Sequence, residues 1–217
     1  MESFLIIGMG RFGQAVAEEL IALGHDVVAI EQKETVGQQL ADRVTHVVIG
    51  DAKEEAVLRA VGVRNFDCVV LGMTRVEDSI MITLALKELG AKYVVAKAGS
   101  RQHRTALERV GADRVVFPER DMGIRLAQSV SSKGMIDCIE LSPEDTIVEM
   151  AVPRKWIGHS LNELDIRNKY HVNVLAVRSA GDDTPLLIEP EPGRKFDKQD
   201  IIYVIGKQWN TQRLSRI

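Results

Sequence analysis

Four apolar residues, Phe4-Leu5-Ile6-Ile7, run without interruption into Gly8-Met9-Gly10-Arg11-Phe12-Gly13, and apolar residues then recur at helical spacing from Phe12 to Leu23. An unbroken apolar run is what a strand covered on both faces needs. The helical stretch starts inside the glycine loop and is closed by Gly24, so strand and helix are joined by a very short turn. Few folds accept that junction. A lone GxGxxG arises by chance, whereas one that leaves a buried strand and opens a helix points to a βαβ unit. In such a unit Gly8 makes the tight turn, Gly10 lets the backbone come close to a bound group, and Gly13 lets the helix pack on the strand.

The alternation repeats. Asp26–Glu31, His46–Gly50, Asp67–Gly72, Lys92–Lys97 and Asp113–Phe117 are short β-rich runs. Helical stretches follow through Ala56, Leu58 and Val61, over Glu77–Leu89 and over His103–Val110. Strands alternating with helices predict parallel pairing through right-handed crossovers: an α/β fold with a Rossmann-type doubly wound sheet over residues 1–118. A helix is predicted over Glu119–Val130, with Met122, Leu126 and Val130 on one face, and Ser131-Ser132-Lys133-Gly134 reads as a linker. Residues 119–134 would then be a crossover helix and linker, its apolar stripe facing either a second subunit or its own domain. Beyond it the pattern changes. Ile136–Leu141, Thr146–Val152, Val172–Val177 and Ile201–Ile205 are strand-like, Ser160 caps a short helix to Leu164, Gly181-Asp182-Asp183 marks a turn, and a helix ends the chain. Residues 135–217 thus predict a small α+β domain.

A net charge of -3 argues against a nucleic-acid surface. No stretch approaches the ~18 uncharged residues of a membrane-spanning helix, and Met1-Glu2-Ser3 leads straight into a strand, so a cytoplasmic protein without a signal peptide is expected. Cys68 and Cys138 stand far apart in apolar surroundings and read as reduced thiols. A dehydrogenase would need an acid–base residue and a substrate pocket. The histidines (His25, His46, His103, His159 and His171) lie beside turns or element ends, and no tyrosine–lysine pair, metal-ligand cluster or nucleophile elbow is visible. No catalytic residue is therefore assigned.

The loop residues Gly8, Met9, Gly10, Arg11, Phe12 and Gly13 would present first-turn N–H groups and the helix dipole to phosphates. Glu31, ending the second β run, would accept hydrogen bonds from adenosine ribose hydroxyls, and its charge disfavours a 2′-phosphate. Arg11 is unusual in such a loop. A terminal phosphate calls for extra positive charge more than a diphosphate bridge does, which tilts the reading from NAD(H) toward ATP or ADP. The other reading of Arg11 is a solvent-facing helix residue. Asp51 with Ala52, Thr74 and Lys97 lie where the carboxyl edge of the sheet is expected, although Asp51 and Thr74 could equally be helix caps.

IIGMGRFG, GDA at Gly50–Ala52, GVRNFD at Gly62–Asp67, VGADRVVFPERDMG at Val110–Gly123 and LDIRNKY at Leu164–Tyr170 occur in order. Together they resemble the cytoplasmic regulatory subunits of Ktr-type bacterial potassium transporters, built from the RCK (regulator of potassium conductance) domain. The resemblance implies ATP or ADP in the first domain of a gating subunit; the glycine loop by itself leaves an NAD(H)-dependent oxidoreductase or an NAD(H)-sensing regulator as the alternative. The resemblance implies a homodimer assembling into an octameric ring at the inner face of the membrane, beneath an integral-membrane potassium transporter subunit. It also implies a divalent cation, Mg or Ca, near Glu119 at the subunit interface, where the bare sequence shows a first-turn helix acid. In some members cyclic di-AMP binds between C-terminal domains, and the matching positions here are Ile166, Arg167 and Asn173. Arg167 could instead be a surface ion-pair partner.

Overall fold

The structure, a computed structural model, describes residues 1–131, 134–179 and 185–214, which divide into two compact units, Met1–Glu119 and Arg120–Ile217. Ser132 and Lys133 of the expected linker and the Gly181-Asp182-Asp183 turn lie outside the described residues.

In chain order the first unit is β1 (Ser3–Ile7), α1 (Arg11–Ala22), β2 (Asp26–Glu31), α2 (Glu34–Leu40), β3 (His46–Ile49), α3 (Glu55–Val61), β4 (Cys68–Leu71), α4 (Val76–Glu88), β5 (Val94–Lys97), α5 (Arg101–Arg109) and β6 (Arg114–Val116), after which α6 (Pro118–Ser131) begins. The strands are parallel, in the order β3-β2-β1-β4-β5-β6. Strand order reverses between β1 and β4. The carboxyl ends of those two strands therefore open a crevice where doubly wound sheets bind ligands. The apolar run of β1 is explained by its neighbours. Leu5 and Ile7 enter one core layer with Leu71, Ile82 and Leu86, while Ile6 enters the opposite layer with Ala17, Ala29 and Val70. Each fully buried aliphatic side chain contributes about 2 kcal/mol.

Asp67, just before β4, fastens the start of the sheet. Its Oδ2 accepts the Ser3 N–H at 3.0 Å and its Oδ1 the Lys92 ammonium at 2.9 Å. The Ser3 backbone N–H, then Lys92, hold the Asp67 carboxyl down at about 2. A depressed carboxylate stabilises the fold above its unfolded pKa and loses that contribution as pH falls toward the folded value. Urea midpoints of the wild type and Asp67→Asn should therefore differ at pH 6 and converge between pH 4 and 2. A gap that stays constant down to pH 2 would show that the charge is irrelevant.

The second unit carries β7 (Met135–Glu140), β8 (Asp145–Ala151), α7 (Leu161–Leu164), α8 (Ile166–Tyr170), β9 (Val172–Arg178), β10 (Leu187–Ile188), β11 (Ile201–Lys207) and α9 (Gln208–Leu214). Its antiparallel sheet has the order β10-β9-β11-β8-β7. A fully buried Trp156 packs against Tyr170 and Phe196, with ring centroids at 5.3 and 5.9 Å. Ser160 caps α7, as the sequence pattern predicts, and the Glu163 side chain completes a capping box. The sequence pattern does not reveal α2, α8 or β10, and α5 starts two residues before the expected His103. That earlier start follows from its cap: Ser100 Oγ accepts the His103 N–H.

Candidate nucleotide-binding site

Gly8 leaves β1 with φ +89°, and a Cβ there would stand 2.9 Å from Met73 Cγ. Its N–H donates to the Ile30 carbonyl at 3.4 Å, while the Gly72 N–H donates to the Ile7 carbonyl at 2.8 Å, holding the loop between β2 and β4. At Gly13 a Cβ would lie 2.3 Å from the Gly8 carbonyl oxygen, so α1 presses onto the loop. Gly10 differs: a Cβ there meets nothing within 4 Å. Gly10 is also the N-cap of α1, with no side-chain cap and no acidic residue in the first turn. The first-turn N–H groups thus stay available to an anion, and the helix dipole favours one. These residues fit a nucleotide phosphate.

Arg11 and Phe12 open α1, and the expected residues outside the glycine loop lie at or just beyond the carboxyl ends of strands. Glu31 ends β2; its Oε1 accepts the Lys33 N–H at 3.0 Å, which leaves its second carboxylate oxygen for another donor. Asp51 follows β3 and takes the Lys53 N–H at 2.9 Å and the Gln32 amide at 3.1 Å. Neither Asp51 nor Thr74 is a helix cap, because Glu54 and Arg75 occupy those positions and no side chain caps either helix. Met9 and Ala52 are buried in the two core layers, so only their backbones border the crevice. Arg11 is the exposed first residue of α1.

Lys97, at the end of β5, is a nearly buried cation. Its side chain is 8% exposed, and Nζ lies 2.5 Å from Glu119 Oε1 and 5.7 Å from the centre of the Phe12 ring. Lys97 therefore borders the glycine loop. Glu119, in the first turn of α6, has its carboxyl held below the ordinary range by the hydrogen bond from Lys97, then by the backbone N–H of Glu119 itself, with Arg11 adding attraction. No group of three or more His, Cys, Asp or Glu side chains converges for a metal among the described residues. Glu119 has an ammonium as its counter-ion, so this chain's own residues do not fit a divalent cation.

One histidine behind the site has a role that its place beside a turn does not reveal. His103 is buried; its Nδ1 accepts the Gly99 N–H at 3.2 Å, so its Nε2 carries the proton toward Ser79 Oγ, 2.6 Å away, and Ser79 donates to the Val76 carbonyl. This chain ties the loop after β5 to the first turn of α4. Burial pushes the His103 pKa down, which keeps it neutral. Nothing in the sequence pairs positions 79 and 103, since the contact is made through the fold.

In the second unit, Ile166, Arg167 and Asn173 do meet, lining a cavity of about 260 Å³ with Leu161, Asn162 and Asp165. Arg167 has no ion-pair partner among the described residues. The α6 stripe is exposed, with Met122 at 60%, Leu126 at 61% and Val130 at 75%.

Residues 4–118 match the TrkA-N domain and residues 146–217 the TrkA-C domain. The Ktr system potassium uptake protein A of Bacillus subtilis is 36% identical over 213 residues, covering 98% of this chain and 95% of that protein. Protein C of the same organism is 35% identical over 216 residues, covering 99% and 96%. Among solved structures, the RCK domain of the GsuK channel superposes with a TM-score of 0.72 at 19% identity, covering 99% of this chain and 47% of that one. The NAD-bound GsuK channel gives 0.69 at 19% identity, covering 96% and 38%. This chain spans less than half of each of those solved chains, and at that identity the likeness concerns the fold. The two matched domains and the near full-length relatives place this chain in the TrkA-N/TrkA-C family, together with the Ktr system potassium uptake proteins.

Proposed function

We propose that this chain is a nucleotide-sensing regulatory subunit of a potassium uptake system, without catalytic activity of its own. The observation that carries the nucleotide half is the open, uncapped start of α1 at Gly10, with Arg11 in its first turn and Glu31 and Lys97 at the ends of β2 and β5. Its near full-length similarity to Ktr potassium uptake proteins supports the transport half. No helix among the described residues is long and apolar enough to cross a membrane, so ion passage would belong to a separate membrane subunit. The chain would sit at the cytoplasmic face, as homodimers joined through the exposed α6 stripe and assembled into an octameric ring. The cavity around Arg167 and Asn173 would hold cyclic di-AMP, the guanidinium meeting phosphate and the amide meeting base or ribose. A divalent cation at Glu119 would need ligands beyond this chain, from a phosphate or a second subunit.

The means of control is a population shift: the nucleotide must bind one arrangement of the subunits better than another. Arg11 would supply the difference by meeting the terminal phosphate of ATP. Arg11→Ala should bring the ATP and ADP dissociation constants to within about threefold of each other in calorimetry, since a charge-assisted contact contributes roughly 1.5–3 kcal/mol. An unchanged ratio would remove Arg11 from the argument. For the whole reading, deletion of the gene in its native host should lower rubidium uptake, and the wild-type gene, but not its Gly10→Ala variant, should restore it. Uptake that survives deletion would refute the transport role.

A further inference from the structure

We propose that Lys97 is a shared cation, held by Glu119 in the empty protein and handed to the terminal phosphate of a bound nucleotide, which leaves the Glu119 carboxylate free. The proposal rests on the nucleotide reading of the glycine loop and adds how that site is regulated. The two partners sit in unequal surroundings. Lys97 is 8% exposed at the side chain and anchored at the end of β5, whereas Glu119 is 62% exposed in the first turn of α6. A nearly buried ammonium needs an anion beside it at all times, while an exposed carboxylate can turn to water at small cost. The partner that can leave is therefore Glu119.

The geometry names the replacement. Lys97 Nζ stands 5.7 Å from the ring of Phe12, a residue of the glycine loop itself, and 2.5 Å from Glu119 Oε1. Its three donors and flexible stem suit it to swing between a carboxylate and a phosphate oxygen. A phosphate drawn to the Lys97 ammonium would stand beside the Glu119 carboxylate and repel it. Binding and release are thus one exchange of partners. By reciprocity, whatever draws Glu119 away, such as a cation or a neighbouring subunit, strengthens nucleotide binding by the same factor.

The test is a double-mutant cycle in divalent-free buffer, with ATP titrated calorimetrically into nucleotide-stripped full-length protein. Glu119→Gln removes the competing charge at an exposed position and should tighten ATP about tenfold, within the range of measured coupling between contacting groups. Lys97→Met should weaken ATP by a similar factor, and in that background Glu119→Gln should change ATP binding less than twofold. A Glu119→Gln variant that binds ATP equally or more weakly overturns the exchange, as does a tenfold gain that persists without Lys97. A second readout needs no Lys97 variant: the ¹⁵N-labelled Lys97 ammonium resonance of the wild type and of Glu119→Gln should differ without ATP and converge with it. Resonances that stay apart under saturating ATP also overturn it. Failure of the wild type to bind ATP at all would instead defeat the nucleotide reading.

Discussion

Gly13→Ala is expected to lower the melting temperature of the first unit by about 10 °C, whereas Gly10→Ala leaves it unchanged and abolishes nucleotide binding. The new methyl at position 13 would lie 2.3 Å from the Gly8 carbonyl oxygen, well inside contact distance and against backbone that cannot swing aside. To accommodate it, α1 must lift from the β1 turn, an overpacking cost of about 2–3 kcal/mol. For a domain of this size that corresponds to roughly 10 °C. At position 10 a methyl meets nothing within 4 Å, so the fold should not register it. It would occupy the space a phosphate needs beside the uncapped N–H groups, and affinity should fall by at least about two orders of magnitude, as expected when close backbone approach is blocked. Circular dichroism melts and calorimetry on the same preparations separate the effects. A Gly10→Ala protein that binds ATP normally would place the ligand elsewhere.

The second large effect concerns the other unit. Trp156→Ala should destabilise it by roughly 4 kcal/mol, the cost of truncating a large buried aromatic side chain. Trp156 is fully buried between Tyr170 and Phe196. Its indole N–H has no hydrogen-bond partner among the described residues, so Trp156→Phe loses volume but also removes a buried unsatisfied donor. That variant should cost only about 1 kcal/mol. The chain has two tryptophans, Trp156 and Trp209, both in this unit, so fluorescence of the remaining Trp209 reports its unfolding. Equal losses for the alanine and phenylalanine variants would show that the packing argument misjudges this core.

What could be read from the sequence follows from what is local in it. Phe4–Ile7 sits between two core layers, so it had to be apolar at every position, and that pattern is visible in four residues. The order of strands and the crevice between β1 and β4 follow from the repeated strand–helix alternation. Helix α2 was invisible because only Val36 and Leu40 of its seven residues are large and apolar, and Gly37 interrupts it. That glycine is itself the trace of close packing, since a Cβ there would meet Ile49 Cδ1 at 2.1 Å. The site residues at strand ends could be found one by one, because each follows its own β run. Their pairings could not. Lys97 and Glu119 are 22 residues apart, and Ser79 and His103 are 24 apart, joined only once the parallel sheet sets their strands and helices side by side. Arg167 and Asn173 are closer in sequence, yet their shared cavity depends on α8, which the pattern did not disclose.

The most direct measurement is calorimetric titration of the purified, nucleotide-stripped protein with ATP, ADP and NADH, each with and without Mg²⁺. A nucleotide-sensing subunit whose loop carries Arg11 and Lys97 should bind ATP and ADP tightly and NADH weakly. Tight NADH with negligible ATP would contradict it and turn attention to hydride chemistry.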